Sequence, residues 1–320
     1  MRCFLLLLLF SLSVIAQDIP SYAKLKEAAV DILVDGNLSG SGAFISSEGD
    51  VLTAAHIFKD KAKIEVVNHK NERFKTSVVA IDRGHDLALL KTEKSLKVPY
   101  LKISDKKTFP GADVFHFGSA YFRRGMMQKG FVSQDEPSFE YYGGTSSHAV
   151  RVLHISTTVQ PGTSGGPWVN KLGKIIGVQS GIMTINNSNS GMAFSAPLEA
   201  ISKIVTTRKS ANTPTLEITV ETLWNQQAPV VANYPGYKNA VIIVAVNKDG
   251  VGAKFGLKKD DLIIALNNTI TETDSQFYTL LRQNQPGQEV TLKIYRPSEK
   301  KELEIKLSPV HLEKRFEQIF

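Results

Sequence analysis

Gly162–Pro167 reads Gly-Thr-Ser-Gly-Gly-Pro, a serine set among glycines and closed by a proline that opens the apolar run Trp168–Asn170. A serine between glycines makes a flexible turn as readily as a reactive one, so the rest of the chain has to decide. Two further segments bear on it. Val51–His56 (V-L-T-A-A-H) is an apolar strand that delivers a histidine into a turn, and Asp86–Leu90 (D-L-A-L-L) places an acid immediately before an apolar run. A serine hydroxyl is a poor nucleophile at neutral pH and needs a base to take its proton as it attacks. Histidine suits that task, because an unperturbed pKa of about 6.5 leaves it mostly neutral at pH 7. A buried carboxylate then fixes the imidazole tautomer and stabilises the imidazolium. The glycines meet a separate need: acyl transfer builds an oxyanion on which two backbone N–H groups must converge. We assign those of Gly162 and Ser164, since Gly162 has no Cβ and can take the backbone angles that turn its N–H inward. Losing one such donor typically costs about 2.7–4 kcal/mol of transition-state stabilisation.

Outward from these segments the chain is a series of short strand-like runs broken by Gly, Ser and Asp. Examples are Gly42–Ser46, Val51–Thr53, Lys63–Val67, Ser77–Asp82, Leu87–Lys91, Asp113–Phe117, Ala149–Ile155, Trp168–Asn170, Lys174–Val178 and Met192–Ala196. Many short strands with little helix predict a mainly β protein, a barrel or sandwich. A helix is expected over Ser21–Asp31 and a closing one over Leu198–Thr207. The polar, aperiodic stretch 208–214 (R-K-S-A-N-T-P) is the expected linker. Beyond it the pattern changes to a small β/α module: strands at Ala240–Val246, Asp261–Leu266, Val290–Tyr295 and Glu302–Leu307, and a helix over Asp274–Gln283. Asp274 is its expected N-cap, and Pro286–Gly287 its stop.

Composition agrees with two ordinary globular domains. The 320 residues are 42% hydrophobic and 22% charged, which excludes a wholly disordered chain, a collagen and a polytopic membrane protein. The formal charge of +7 is scattered in doublets such as Lys106–Lys107 and Arg123–Arg124, so no nucleic-acid partner is expected. Met1–Ala16 has a basic start at Arg2, an apolar run Phe4–Ile15 and small residues before Gln17, the pattern of a cleaved signal peptide on an exported protein. An uncleaved amino-terminal anchor is the alternative for the same residues. The single cysteine, Cys3, lies inside this segment, so the mature chain is expected to hold neither a disulfide nor a cysteine nucleophile.

The three segments, with their neighbours, resemble the HtrA/Deg serine proteases of the chymotrypsin clan. Gly40–Ser46 (G-S-G-A-F-I-S) is similar to the strand before that family's histidine, Val114–Gly118 with Gly130–Ser133 to its G-N-P-x-G and G-I-V-S region, and Gly173–Val178 with Ala193–Pro197 to its last barrel strands. The resemblance covers roughly Leu38–Val205 and implies a chymotrypsin-like double β-barrel. It carries over His56 as general base, Asp86 as its orienting carboxylate and Ser164 as nucleophile. Two positions depart from the family. Thr163 stands where members usually have Asn and digestive relatives Asp, so activation by a newly cleaved amino terminus is not expected. Ser119–Ala120 replaces the usual Asn-Pro.

In this clan the residue six before the nucleophile lies at the base of the substrate pocket, which points to Thr158 with Val159 beside it. Gln179, Ser180 and Gly181 are then expected to line the cleft and pair with the substrate as an added strand. No acid stands there to match a substrate Lys or Arg, so small or medium apolar residues are expected before the scissile bond. The carboxy-terminal module is similar to the family's PDZ domains through Gly256–Asn267 and Val290–Arg296. Its peptide-binding loop corresponds to Leu216, Glu217, Ile218, Thr219 and Val220, with Glu217 where members usually have Gly. That carboxylate would repel the terminal carboxylate of a peptide.

The expected organisation is a signal peptide 1–16, a trypsin-like protease domain 17–207, a linker 208–214 and a PDZ domain 215–310. The resemblance implies an exported serine endopeptidase, periplasmic in a Gram-negative bacterium and otherwise secreted, acting on unfolded or misfolded proteins. It also implies a homotrimer and a peptide ligand at the PDZ domain. A membrane-tethered regulatory sensor protease and a non-catalytic peptide-binding chaperone are the alternatives. No cofactor is expected and no metal, because the remaining histidines form no ligand motif and have no companion cysteines.

Overall fold

The structure, a computed structural model, describes residues 19–57, 62–94, 96–121, 123–141, 149–186 and 188–312. The expected signal peptide and Cys3 lie outside the described residues. Among the described residues no helix is long and apolar enough to cross a membrane.

Helix α1 (Tyr22–Ala28) leads into β1 (Ala29–Val34). The helix therefore stops three residues before the expected Asp31. Its N-cap Ser21 accepts a hydrogen bond from the Lys24 N–H, but Ala29 is already extended, and the run A-V-D-I-L-V is buried almost throughout as a strand. β1 pairs with both β2 (Asn37–Phe44) and β4 (Ile64–Val67). With β3 (Asp50–Thr53), β5 (Arg73–Asp82) and β6 (Leu87–Thr92) it closes a six-stranded barrel in the order β1-β2-β3-β6-β5-β4. Closure leaves no free edge, so this half of the fold protects its own backbone.

The second barrel holds β7 (Asp113–Ala120), β8 (Arg123–Val132), β9 (Ser138–Tyr141), β10 (Ala149–Ser156), β11 (Pro167–Val169), β12 (Ile175–Ile185) and β13 (Ser188–Pro197). Its sheet order is β13-β12-β11-β7-β8-β10-β9, and a further pairing of β13 with β10 closes it. β9 has no counterpart among the expected strands, and only the end of β8 has one, in the resemblance over Gly130–Ser133. The sequence of β8, R-R-G-M-M-Q-K-G-F-V, is largely exposed and lacks β-branched residues until its end; its ladder to β7 fixes it, from Ala120 opposite Arg123 to Asp113 opposite Phe131. One apolar cluster spans both barrels, joining Leu52, Leu87 and Leu89 of the first to Phe115, Phe117 and Ile175 of the second, with Leu25 of α1. α2 (Leu198–Thr207) adds Ala200, Ile201 and Ile204 to it.

The polar stretch after α2 is tied down. Ala211 N–H donates to Ile81 C=O at 2.9 Å, and Ser210 Oγ accepts from Ile81 N–H at 3.1 Å, which holds the chain along β5. The carboxy-terminal module contains β14 (Pro214–Thr215), β15 (Ile218–Thr222), α3 (Ala228–Val231), β16 (Val241–Val246), α4 (Val251–Lys254), β17 (Leu262–Leu266), β18 (Thr269–Ile270), α5 (Asp274–Leu281), β19 (Val290–Arg296), β20 (Lys301–Leu307) and β21 (Val310–His311). Its main sheet runs β15-β16-β17-β19-β20, so β15 is an edge strand. α5 is capped by Thr273, whose side chain accepts from Gln276 N–H, and not by Asp274; the Asp274 carboxylate is occupied with Thr222 Oγ1 and Ser275 N–H.

Candidate active site

His56 sits in a 3-10 turn, Ala55–Ile57, directly after β3, and Asp86 ends the turn that precedes β6. Asp86 is fully buried. Its Oδ1 accepts the His56 backbone N–H at 2.9 Å and its Oδ2 lies 2.7 Å from His56 Nδ1. Ser180 Oγ donates to the same Oδ2. One carboxylate thus grips the histidine by backbone and ring together. A carboxylate can only accept, so Nδ1 carries the proton and Nε2 is left as the basic nitrogen. Burial alone would push the His56 pKa down; the charge of Asp86 and its hydrogen bond overcome that and hold it above the ordinary histidine value.

Ser164 comes from the other barrel, in the loop before β11. Gly162 takes φ +93°, the left-handed region that a side chain would strain. Gly165 allows the loop to approach the histidine strand: a Cβ there would fall 2.2 Å from Thr53 Oγ1 and 2.9 Å from Ala54 N. Among the described residues, the N–H groups of Gly162 and Ser164 donate to no protein acceptor, and the Ser164 hydroxyl makes no hydrogen bond. Thr163 is buried and turned inward, its Oγ1 donating to Gln160 C=O at 2.7 Å. Beneath the loop lies His116, fully buried and edge-on to Trp168 at 5.1 Å; burial pushes its pKa down to about 3, so it is neutral at every pH at which the protein would work.

The expected cleft residues separate. Thr158 is exposed, and its C=O accepts from Gln128 Nε2 at 3.3 Å. Val159 is 1% exposed and belongs to the core cluster with Trp168 and Ile155. Gln179 does not offer its backbone to a substrate. Its N–H donates to Gly166 C=O at 2.8 Å and its C=O accepts Gly165 N–H at 2.7 Å, while its side chain joins Trp168 Nε1 to Gly181 C=O. Ser180 turns to Asp86, so it supports the acid where a cleft role was expected. What binds Ser180 to this site is a contact between positions 94 residues apart, which leaves no local signature.

The PDZ positions also differ from a loop. Ile218, Thr219 and Val220 lie in β15, and Leu216, Ile218 and Val220 are buried in the module's core. Glu217 takes φ +54°, its N–H donates to Thr215 Oγ1 at 3.0 Å, and its carboxylate accepts Val251 N–H at 2.8 Å at the start of α4. The edge of β15 is covered from the protease side. Tyr141 of β9 accepts Val220 N–H at 2.8 Å, donates to Val220 C=O and lies 2.7 Å from Tyr278 Oη on α5. Phe139 packs on Tyr278 at 5.1 Å, and the Arg282 guanidinium lies 4.6 Å from the Phe139 ring centre while donating to Ala149 C=O at 2.8 Å. Among the described residues no group of three His, Cys, Asp or Glu side chains could hold a metal ion.

The trypsin-like peptidase domain family matches residues 40–178, and the PDZ domain family matches residues 214–307. A "Probable periplasmic serine endoprotease DegP-like" of Rickettsia prowazekii is 26% identical over 276 residues, covering 84% of this chain and 53% of that protein. A "Serine protease HtrA-like" of Staphylococcus aureus is 28% identical over 285 residues, covering 84% of this chain and 37% of its own length. The chain thus spans about half, or less, of the curated relatives it matches. Among solved structures, "HtrA-type protease AlgW with decapeptide" superposes with a TM-score of 0.65 at 17% identity over 92% of this chain and 99% of that one. The serine endoprotease from Yersinia pestis superposes with a TM-score of 0.58 at 20% identity, covering 92% and 98%.

Proposed function

We propose that this chain, a trypsin-like peptidase domain followed by a PDZ domain with HtrA-type relatives, is an HtrA-like serine endopeptidase with Ser164 as nucleophile, His56 as base and Asp86 as the group that holds the base. The observation that carries this reading is the buried Asp86 gripping His56 by N–H and Nδ1, beside a loop whose Gly162 and Ser164 N–H groups are unspent. His56 Nε2 takes the proton of Ser164 Oγ as that oxygen attacks the peptide carbonyl. The tetrahedral oxyanion is received by the two N–H groups, and the imidazolium returns its proton to the leaving amine. Water, deprotonated by His56, then releases the acyl group. The hydroxyl makes no hydrogen bond to His56 among the described residues, and substrate is expected to bring the two into one, as is common when an unliganded site closes on its target. Labelling of Ser164 by a fluorophosphonate, lost in His56→Ala, tests the assignment; labelling that survives the histidine change would overturn it.

The substrate class follows from the family: unfolded or misfolded proteins outside the cytoplasm, reached after export through residues 1–16. One curated relative is named periplasmic. We keep 17–207 as the protease unit, 208–214 as the connection and 215–310 as the PDZ unit, and assembly as a homotrimer belongs to the same proposal. With no acid at Thr158 or beside it in the sequence, a substrate Arg would leave its charge without a partner at a cost of several kcal/mol. Peptides with Val, Ala or Ile before the scissile bond are therefore expected to turn over at least tenfold faster than the Arg analogue. Equal kcat/KM for the two would refute that preference.

A peptide partner of the PDZ unit would add as a strand to β15, whose Val220 N–H and C=O are held by the Tyr141 hydroxyl. Peptide and β9 then compete for the same groups. At roughly 0.5–1.5 kcal/mol net for each of these hydrogen bonds, Tyr141→Phe is expected to tighten peptide binding about tenfold. Fluorescence anisotropy of a labelled apolar peptide measures it, and unchanged affinity would remove Tyr141 from the competition. Glu217 adds a preference for internal segments over free carboxyl termini, because its N–H is spent on Thr215 and its negative charge, held at Val251 N–H, disfavours a second carboxylate nearby.

A further inference from the structure

The nucleophile loop is held by its carbonyls. Pro161 C=O accepts Tyr121 N–H at 2.9 Å, Thr163 C=O accepts Gly166 N–H at 2.9 Å, and Ser164 C=O accepts Ser41 N–H at 2.7 Å. Gly162 C=O accepts the Ser41 hydroxyl at 2.9 Å. All four carbonyls from 161 to 164 are thereby fixed, and turning a peptide plane to hide the Gly162 or Ser164 N–H would break one of these bonds. Three of the four donors are backbone groups that no substitution removes. The fourth is a side chain.

Ser41 is itself wedged. It is 1% exposed, its Oγ accepts Ser119 N–H at 2.9 Å, and its C=O accepts Thr53 Oγ1 at 2.7 Å. Ser119, one of the two departures from the family's Asn-Pro, donates its hydroxyl to the buried Asp31 carboxylate, which in turn pairs with Arg124. The Ser119 C=O closes from the other side, 2.5 Å from where a Gly162 Cβ would stand. A polar chain thus runs Arg124–Asp31–Ser119–Ser41 and ends on the carbonyl of the glycine that supplies an oxyanion donor.

We propose that Ser41 is a positioning residue for the oxyanion hole: its hydroxyl fixes the carbonyl end of the Gly162–Thr163 peptide plane, whose N–H donates to Gln160 C=O at 3.2 Å, and through that plane the aim of the flanking N–H groups, with Ser119 and Asp31 setting Ser41. The proposal rests on the reading of Ser164 as nucleophile. Small misalignments of transition-state donors cost rate more than binding, because the donors meet full charge only in the oxyanion.

The test compares wild type with Ser41→Ala and Ser41→Thr on a peptide p-nitroanilide ending in Val and on the matching peptide aldehyde, whose adduct carries the oxyanion. Ser41→Ala is expected to lower kcat roughly 10- to 100-fold with KM within about threefold, and to weaken the aldehyde by the same factor. The acidic limb of the pH–rate profile should stay in place, since His56 is untouched, and Ser41→Thr, which keeps the hydroxyl, should recover most of the rate. Full kcat in a folded Ser41→Ala, a loss carried by KM, or a moved acidic limb would each overturn the proposal. Should Ser41→Ala fail to fold, Ser41→Cys decides in its place: its weaker donor must lower kcat, and unaltered kcat refutes the role. Wild-type enzyme unlabelled by a fluorophosphonate would instead sink the nucleophile reading, and this one with it.

Discussion

Ser164→Ala is expected to lower kcat by about a million-fold while leaving the thermal midpoint within a degree or two of wild type. The two halves of that expectation have separate physical grounds. Without the hydroxyl there is no acyl-enzyme, and what remains is the oxyanion hole and substrate positioning, which in comparable sites preserve about 10³- to 10⁴-fold over water. The fold loses nothing measurable, because the Ser164 hydroxyl makes no hydrogen bond among the described residues and its backbone C=O stays bound to Ser41. A group with a demanding chemical environment and no structural partner is what function at the expense of stability looks like. Release of dye from labelled, unfolded casein measures the first half and calorimetry the second. A variant with even a hundredth of wild-type rate would mean that another nucleophile does the work.

Much of the fold was legible in local pattern. Runs such as Leu87–Thr92 and Val241–Ile243 are β-rich and buried, and α2 shows its apolar face at Ala200, Ile201 and Ile204. The residues around Ser164 and His56 were legible for a related reason: a serine among glycines, and a histidine ending an apolar strand, are local patterns with local meaning. What stayed hidden is set by contacts between distant positions. Ser180 and Asp86 are 94 residues apart, Ser41 and Gly162 121, and Tyr141 and Val220 79, and no spacing rule announces such meetings. Val159 lies in the core beside Trp168, because proximity in sequence to an expected pocket residue does not say which way a side chain points. Most of β8 carries no strand signal of its own, since its order comes from a hydrogen-bonded neighbour and not from its side chains.

Asp86→Asn is expected to cost about 10⁴-fold in kcat at neutral pH. The carboxylate accepts from His56 N–H, from Nδ1–H and from the Ser180 hydroxyl. An amide turned to present its NH2 to the ring would force Nδ1 to accept, moving the imidazole proton to Nε2, where the Ser164 proton must go. The pH dependence gives a second reading of the same charge. In wild type the His56 pKa is held above 6.5, so on the proposed mechanism the base is neutral, and activity is expected, only as pH rises through that raised value. The stabilisation from the His56–Asp86 pair has the opposite course: it is complete below the unfolded-state value of about 6.5 and is lost as pH rises through the folded one. Activity is therefore expected to increase over the pH range in which this contribution to stability declines. In the Asn variant burial acts on His56 without the opposing charge, so the acidic limb of its residual activity should move down. Only one proton should define that limb, since His116, the other buried imidazole of the site, stays neutral down to about 3. Rate against pH for both proteins decides the matter: an acidic limb at the same pH in wild type and Asp86→Asn would show that the carboxylate does not set the base.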